Sequence, residues 1–267
     1  MKDTILKPVK DEPALLIVGE GRRILCIADL HLGIEDEFRE KGINIAPQSS
    51  RLAKLILNIA GKVNAAELLI LGDLKHNIPF STLLEAIHIP EFLKELSGRL
   101  KITVIPGNHD TGLKKMLPSY IRLERSTGLV VDFKNTRIGF VHGHSKPAAQ
   151  VLNSDILVVA HTHPAVRLVD KLYKRFTEPV WIITQFISKN LKNLINDKNF
   201  VYERETTKLI IIPAFNPLIT GSPVNVNKRR PLLGPVLQSQ FIDMENAEIH
   251  LLDGTYLGKL SELPKFD

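Results

Sequence analysis

Ile24-Leu25-Cys26-Ile27-Ala28 runs without a break into Asp29-Leu30-His31. Five apolar residues in a row have the length of a strand buried on both faces, and the polar residues after them are of types that bind cations. The same juncture recurs along the chain. Leu68–Leu71 leads into Gly72-Asp73, and Ile102–Ile105 leads past Pro106 into Gly107-Asn108-His109-Asp110. Ile138–Val141 leads into His142-Gly143-His144, and Ile156–Val159 leads past Ala160 into His161-Thr162-His163. In open α/β sheets ligands bind outside the carboxyl ends of the strands. Taken singly, each motif reads as a turn or as a core or surface histidine. All five at the same end of successive strands predict one shared site.

Helical patterns lie between these strands. Leu52, Leu55, Ile56 and Ile59 recur at helical spacing over Ser50–Ala60, with Ser49 or Ser50 as cap and Gly61 as stop. Leu83–Leu96 is helical too, and Pro90 is expected to end one helix there and open the next. Leu15–Val18 and Ile24–Ala28 read as strands around the turn Gly19-Glu20-Gly21. This alternation predicts an α/β (α+β) sandwich with buried sheets. The last third changes character. Val180–Thr184, Leu209–Ile212 and Ile249–Leu252 read as strands among frequent turn residues, and residues 185–205 are polar with a short helical look, an insertion by pattern. With no repeat and no clean linker, residues 1–267 read as a single domain: a motif core over 24–163, then the C-terminal strands and the insertion within 165–267. Val166, Leu168, Leu172, Tyr173 and Phe176 either complete the second sheet or form an apolar edge, which admits a homodimer.

The chain has 267 residues, 44% apolar and 24% charged, the profile of a globular protein rather than a disordered or low-complexity one. No apolar run nears the roughly 18 residues that span a bilayer, so no membrane partner is expected. Residues 1–11 mix charges early and lack a signal-peptide apolar core, and the single Cys26 excludes an internal disulfide framework. A cytoplasmic location follows as the expectation. The net charge is +6, which permits an anionic partner without demanding one. Lys114-Lys115, Lys171/Lys174/Arg175 and Lys228-Arg229-Arg230 are weak basic clusters that equally suit a solvated surface.

The donor types narrow the chemistry. Carboxylates, imidazoles and an amide carbonyl without thiolate suit borderline divalent ions, with Mn foremost and Fe, Zn, Ni or Co also compatible. Hard Mg or Ca sites rarely use so many histidines. In extended backbone, residues i and i+2 share a face, so Asp29/His31 and His161/His163 are each expected to reach one centre. Seven donors exceed one tetrahedral ion and suit two ions sharing a carboxylate. Two ions about 3.5–4 Å apart clamp the oxygens of a phosphoryl displacement and turn a water between them into hydroxide near neutral pH. Outside this set, His76 sits near enough to Asp73 to face substrate or to brace the loop. His88, His250, Cys26 and Trp181 read as packing or surface residues, Trp181 with stacking as its other reading.

The series Asp29-x-His31, Gly72-Asp73, Gly107-Asn108-His109-Asp110, His142, His161-x-His163 resembles the calcineurin-like metallophosphoesterases over residues 24–163. The resemblance implies a four-layer αββα sandwich with two mixed sheets and a dinuclear centre at the sheet ends. Carried over by motif, Asp29, His31 and His163 hold one metal, Asn108, His142 and His161 the other, and Asp73 bridges them. His109 is then the catalytic imidazole, and Asp110 orients it by accepting its other N–H. Either imidazole of His142-Gly143-His144 fits the fourth motif. His142 comes straight off the strand, which leaves His144 behind it or near substrate. Ala160 stands where the family usually has glycine, and the slot stays small. Asp29-Leu-His-Leu-Gly33 with Glu35, Gly72-Asp73-Leu-Lys-His76, His161-Thr-His-Pro164 and Pro213-Ala-Phe-Asn-Pro217 are also similar to the compact SbcD-related phosphoesterases of archaea and to bacterial relatives associated with DNA ligase and helicase genes. That likeness implies a phosphodiester substrate, DNA, RNA or nucleotides. The chain is short for SbcD's additional DNA-binding and ATPase-docking portions, so nuclease action on duplex DNA does not follow. The other reading is a non-catalytic scaffold of this fold, as in the retromer subunit. Such scaffolds tend to lose the catalytic histidine, and Asn108-His109-Asp110 is intact.

Overall fold

The computed structural model describes residues 4–187, 205–227, 232–238 and 240–266. Its first sheet holds β1 (Ile5–Pro8), β2 (Leu15–Gly19), β3 (Arg22–Ile27), β4 (Glu67–Leu71), β5 (Lys101–Ile105) and β6 (Arg122–Leu123), side by side in chain order. β2 and β3 form a hairpin whose loop is Glu20-Gly21, both at positive φ, the two-residue turn that matches strand twist. From β3 to β6 the strands are parallel. Parallel neighbours need crossovers, supplied by α1 (Glu35–Glu40) and α2 (Ser49–Lys62) after β3 and by α3 (Leu83–Ser97) after β4.

α2 turns Leu52, Ala53, Ile56, Ile59 and Ala60 onto the sheet. It overruns the expected stop at Gly61 because Asn64, at φ 51°, takes the left-handed position instead. The Ala65 N–H then reaches the Ala60 carbonyl (2.8 Å) and the Asn64 N–H the Gly61 carbonyl (3.2 Å), which satisfies the helix end. α3 corrects a second expectation, for it passes through Pro90 unbroken. The carbonyl that Pro90 leaves without a helical donor belongs to Ala86, an exposed residue, while Ile89, Phe92, Leu93 and Leu96 hold both halves on the sheet.

The second sheet contains β7 (Leu129–Phe133), β8 (Thr136–Val141), β9 (Ile156–Val159), β10 (Pro164–Val169), β11 (Arg175–Ile187), β12 (Thr206–Ile211) and β13 (Ser222–Pro223), in the order β13-β10-β11-β12-β9-β8-β7. β14 (Glu248–Leu251) pairs with β11, and β15 (Tyr256–Lys259) with β14. Both sheets are mixed, as the sandwich requires. Their facing sides meet in one core that includes Leu15, Cys26, Leu71, Phe140, Ala160 and Trp181. Trp181 and Cys26 are therefore packing residues, and Trp181 offers no stacking surface. The first sheet's outer face lies under α2 and α3. The second sheet's outer face lies under the one-turn α4 (Ala149–Leu152) and under Val236, Leu237, Phe241, Ile242 and Met244 from irregular chain, so the fourth layer is thin. Most of the polar 185–205 stretch and the Lys228-Arg229-Arg230 cluster lie outside the described residues. Among the described residues no helix is long and apolar enough to cross a membrane.

Candidate metal centre

The carboxyl ends of β3, β4, β8 and β9, with the loop after β5, converge on one point. The backbone there is not extended. Asp29 (φ 55°), His31 (42°), Asp73 (48°), His161 (72°) and His163 (45°) all take the left-handed conformation, five of the nine non-glycine residues that do so among those described. The i, i+2 pairs therefore reach the centre from tight left-handed turns, which corrects the extended geometry expected. Such residues cost energy that the surroundings must repay, and they cluster at functional sites. Two glycines make the convergence sterically feasible. A Cβ on Gly72 would overlap the His142 ring, and one on Gly107 would overlap the Asp73 carboxylate.

The ligating atoms fall into overlapping clusters. Asp29, His31, Asp73 and His163 form one, and Asp73, His142 and His161 another, each with its atoms within 4.8 Å of one another. Asp73 belongs to both. Its Oδ1 accepts the His109 backbone N–H (2.9 Å), which leaves Oδ2 facing His31 Nε2 and His142 Nε2, each at 3.5 Å. Asp29 Oδ1 lies 2.9 Å from His142 Nε2 and 3.5 Å from His163 Nε2. His31 Nε2, His163 Nε2 and Asn108 Oδ1 are buried without a hydrogen-bond partner. The two orphaned imidazole nitrogens each lie 3.5 Å from a carboxylate oxygen, a setting that a cation would satisfy, so the residues fit a divalent metal. His142 is wholly buried against the carboxylates, and His144 sits behind it, Nδ1 to Nδ1 at 3.0 Å.

Burial and mutual charge set the protonation states. Burial lowers His31 to about 2, and burial with the nearby His142 lowers His161 to about 3. Burial likewise takes His144 to about 4. These imidazoles are neutral at pH 7 and keep a lone pair for a cation. Burial pushes the Asp73 carboxyl up to about 6. For Asp29 burial acts the same way, but His163 and His142 outweigh it and hold the carboxyl below the usual range. In return, contact with Asp29 outweighs burial and raises both His142 and His163. The carboxylates draw positive charge into the centre, here as protons.

His109 stands at the rim, its ring 4.6 Å from that of His31. Its Nδ1 contacts the His76 carbonyl oxygen, which fixes that nitrogen as a donor. The expected Asp110–His109 contact is not made. Asp110 is buried, and its carboxylate accepts the backbone N–H of Gly107 (2.8 Å) and of Lys75 (3.1 Å). It ties the loop after β5 to the loop after β4, because two buried backbone donors there have no other acceptor. His76 comes to the same rim, with Nδ1 3.3 Å from His31 Nδ1 and Nε2 3.2 Å from the Glu37 carboxylate. His88 and His250 lie elsewhere, beside Glu91 and Glu248.

Glu85 escaped the motif reading, and Lys75 stood within a motif without a role. The buried Glu85 carboxylate accepts the backbone N–H of His76 (3.0 Å), Asn77 (2.8 Å) and Thr82 (2.9 Å), and the Asn77 amide (3.0 Å). It thus shapes the loop whose carbonyl holds His109. The sequence signal was Thr82-x-x-Glu85, a capping box, and Thr82 and Glu85 do cap α3 reciprocally. Lys75 is wholly buried and its Nζ donates to the Asn77 carbonyl inside the same loop. Glu85→Ala leaves the part-buried donors of Asn77 and Thr82 unpaired and is expected to cost about 2–3 kcal/mol in urea unfolding. A loss below about 1 kcal/mol would show the loop does not depend on it.

The sequence model for calcineurin-like phosphoesterases matches residues 22–229. No curated protein sequence matches the chain. Among solved structures, nuclease MPE of Pseudomonas putida is similar over 95% of this chain and 100% of its own, with 16% identity and a TM-score of 0.51. The phosphoesterase YfcE of E. coli is similar over 88% and 97%, with 16% identity and a TM-score of 0.39. A zinc complex of Vps29 from Entamoeba histolytica is similar over 75% and 80%, with 14% identity and a TM-score of 0.32. At 16% identity the likeness to nuclease MPE is one of fold. The family match spans most of the chain and every strand-end motif in it, and on that ground the chain belongs to the calcineurin-like phosphoesterase family.

Proposed function

We propose that this protein is a divalent-cation-dependent phosphodiesterase acting on nucleic acids or nucleotides. The observation that carries the proposal is the pair of donor clusters sharing Asp73, with His109 at their rim. In this reading Asp29, His31 and His163 would hold one cation, Asn108, His142 and His161 the other, and Asp73 would serve both. Mn suits the mixed carboxylate–imidazole–amide set best, with Fe, Zn, Ni and Co compatible. Two such cations, when bound, act as Lewis acids on the phosphoryl oxygens and lower the pKa of water. The chain's own residues do the rest. With His109 Nδ1 engaged by the His76 carbonyl, Nε2 is the nitrogen left to face substrate. The protonated ring hands that proton to the leaving oxygen, or stabilises the charge developing on the phosphoryl group. Glu85 and Asp110 keep both loops in register so that the ring stays aimed. The basic balance of the chain and its likeness to SbcD-related enzymes support a polyanionic substrate.

The test compares bis-p-nitrophenyl phosphate with p-nitrophenyl phosphate, before and after metal stripping. Diester hydrolysis that vanishes on stripping and returns with Mn is expected. Hydrolysis that survives stripping, or that is confined to the monoester, overturns the proposal. Cation affinity should also weaken with acid. His142 and His163 hold protons above the ordinary histidine range, and Asp73 above the ordinary carboxyl range. Each must lose its proton to ligate, so lowering the pH from about 8 to about 6 adds proton competition. Calorimetric titration of Mn should show weaker binding at the lower pH, with proton release; affinity independent of pH contradicts the ligand set.

A further inference from the structure

The hairpin after His163 outruns the rest of its sheet. β11 pairs with β12 from Ile182 to Ile187, and Ile182 already faces Ile211, the last residue of β12. Arg175–Pro179 therefore extend past the strand ends that bear the metal centre, where they pair with β10 from Ala165↔Pro179 to Val169↔Arg175. β10 starts one residue after His163, and its six residues at about 3.3 Å each carry the tip about 20 Å outward. Every residue from Val169 to Phe176 is exposed. Leu172 and Tyr173 are 86% and 88% exposed, flanked by Lys171 and Lys174. The turn is nonetheless ordered. Asp170 Oδ1 accepts the N–H of Leu172 (2.8 Å) and of Lys174 (2.9 Å), and the Asp170 carbonyl accepts that of Tyr173 (3.0 Å). Tyr173 sits at φ 61°, unusual for an aromatic residue, with its ring in water. At the hairpin's base lies a cleft of about 470 Å³, lined by His163, Pro164, Thr177 and Pro179 and by Arg51 of α2. Cross-strand pairing puts Arg167 and Arg175 on the same hairpin face as Thr177 and Pro179.

We propose that this hairpin is a landing arm for a single nucleic-acid strand, with Tyr173 stacking on a base and Lys171 and Lys174 meeting phosphates. The strand would run from the metal centre along the cleft to the tip. This rests on the phosphodiesterase reading and extends it to a substrate long enough to reach the tip. An exposed aromatic ring between cations is the element that binds single strands irrespective of sequence. A lipid surface would also accept a Leu-Tyr-Lys tip. The arm's origin at the phosphoester site, Arg51 in the cleft, and Arg167 and Arg175 on the adjoining hairpin face favour the nucleic acid, with Glu12 the one acidic side chain lining the cleft. At about 3.4 Å per stacked nucleotide, the arm spans about six nucleotides.

The test uses the full chain with Mn and two single-stranded DNAs, one of about three and one of about twenty nucleotides, either side of that span. Tyr173→Asn removes the ring with a residue that tolerates left-handed backbone. It should weaken the longer DNA by about tenfold, with the shorter DNA and bis-p-nitrophenyl phosphate turnover unchanged. Tyr173→Phe should bind like the parent. Lys171→Gln with Lys174→Gln should flatten the slope of log affinity against log salt by about 1.4, two contacts at 0.7 each. Unchanged affinity of Tyr173→Asn for the longer DNA overturns the proposal. So does a variant that loses binding to vesicles of phosphatidylglycerol, or loses a dimer, while still binding that DNA. Failure of the underlying reading shows separately, as parent protein that does not hydrolyse bis-p-nitrophenyl phosphate, because the arm is read from binding.

Discussion

Asp73→Asn is expected to lower diester turnover by about a thousandfold, the several kcal/mol of charge stabilisation that a metal centre supplies. Bound cation should fall from two per chain to one. The substitution preserves shape. An asparagine Oδ1 still accepts the His109 N–H that Asp73 Oδ1 takes at 2.9 Å, so the loop after β5 keeps its place. The other atom is what changes. Asp73 Oδ2 faces both His31 Nε2 and His142 Nε2 at 3.5 Å, and an amide nitrogen there offers no lone pair to a cation. Elemental analysis of the dialysed protein, beside its turnover, reads both effects. Full turnover with two cations bound would remove Asp73 from the centre of the mechanism.

His109→Ala is expected to separate proton transfer from cation binding. The ring belongs to no cluster containing a carboxylate, and its Nδ1 is engaged by the His76 carbonyl. Its loss should lower kcat by about 10²–10⁴, the usual share of a general acid, while KM and cation content hold. A leaving group of low pKa, such as p-nitrophenol, needs less proton donation, so the loss should be larger on an alkyl diester. A variant that loses cations as well would make His109 a ligand. A variant with unchanged kcat on both diesters would leave the imidazole without a catalytic part.

Much of this site was legible because its information is local. Each motif directly follows an apolar strand, so strand ends and donors could be read together, and the structure does bring Asp29, His31, Asp73, His142, His161 and His163 to one place. The left-handed turns at Asp29, His31, Asp73, His161 and His163 were not legible, because they arise where strands from two sheets converge. The partners of Asp110 differ from those expected for a related reason. Which donor a buried carboxylate takes depends on the loop it faces across space, and Lys75 lies 35 residues away in the chain. Pro90 shows local propensity losing to burial, since the apolar residues on both sides of it belong to one face. The overhang of the hairpin depends on the register of β11 against β12, a long-range offset that no pattern along one strand reveals.

Two cations bound at this centre are expected to hydrolyse a phosphodiester. The most direct measurement titrates Mn into metal-stripped protein and reads bound metal and bis-p-nitrophenyl phosphate turnover in the same samples. Turnover should stay near zero through the first equivalent and rise to a plateau as the second binds. Turnover that saturates with one cation per chain, or two bound cations with no diester hydrolysis, would contradict it.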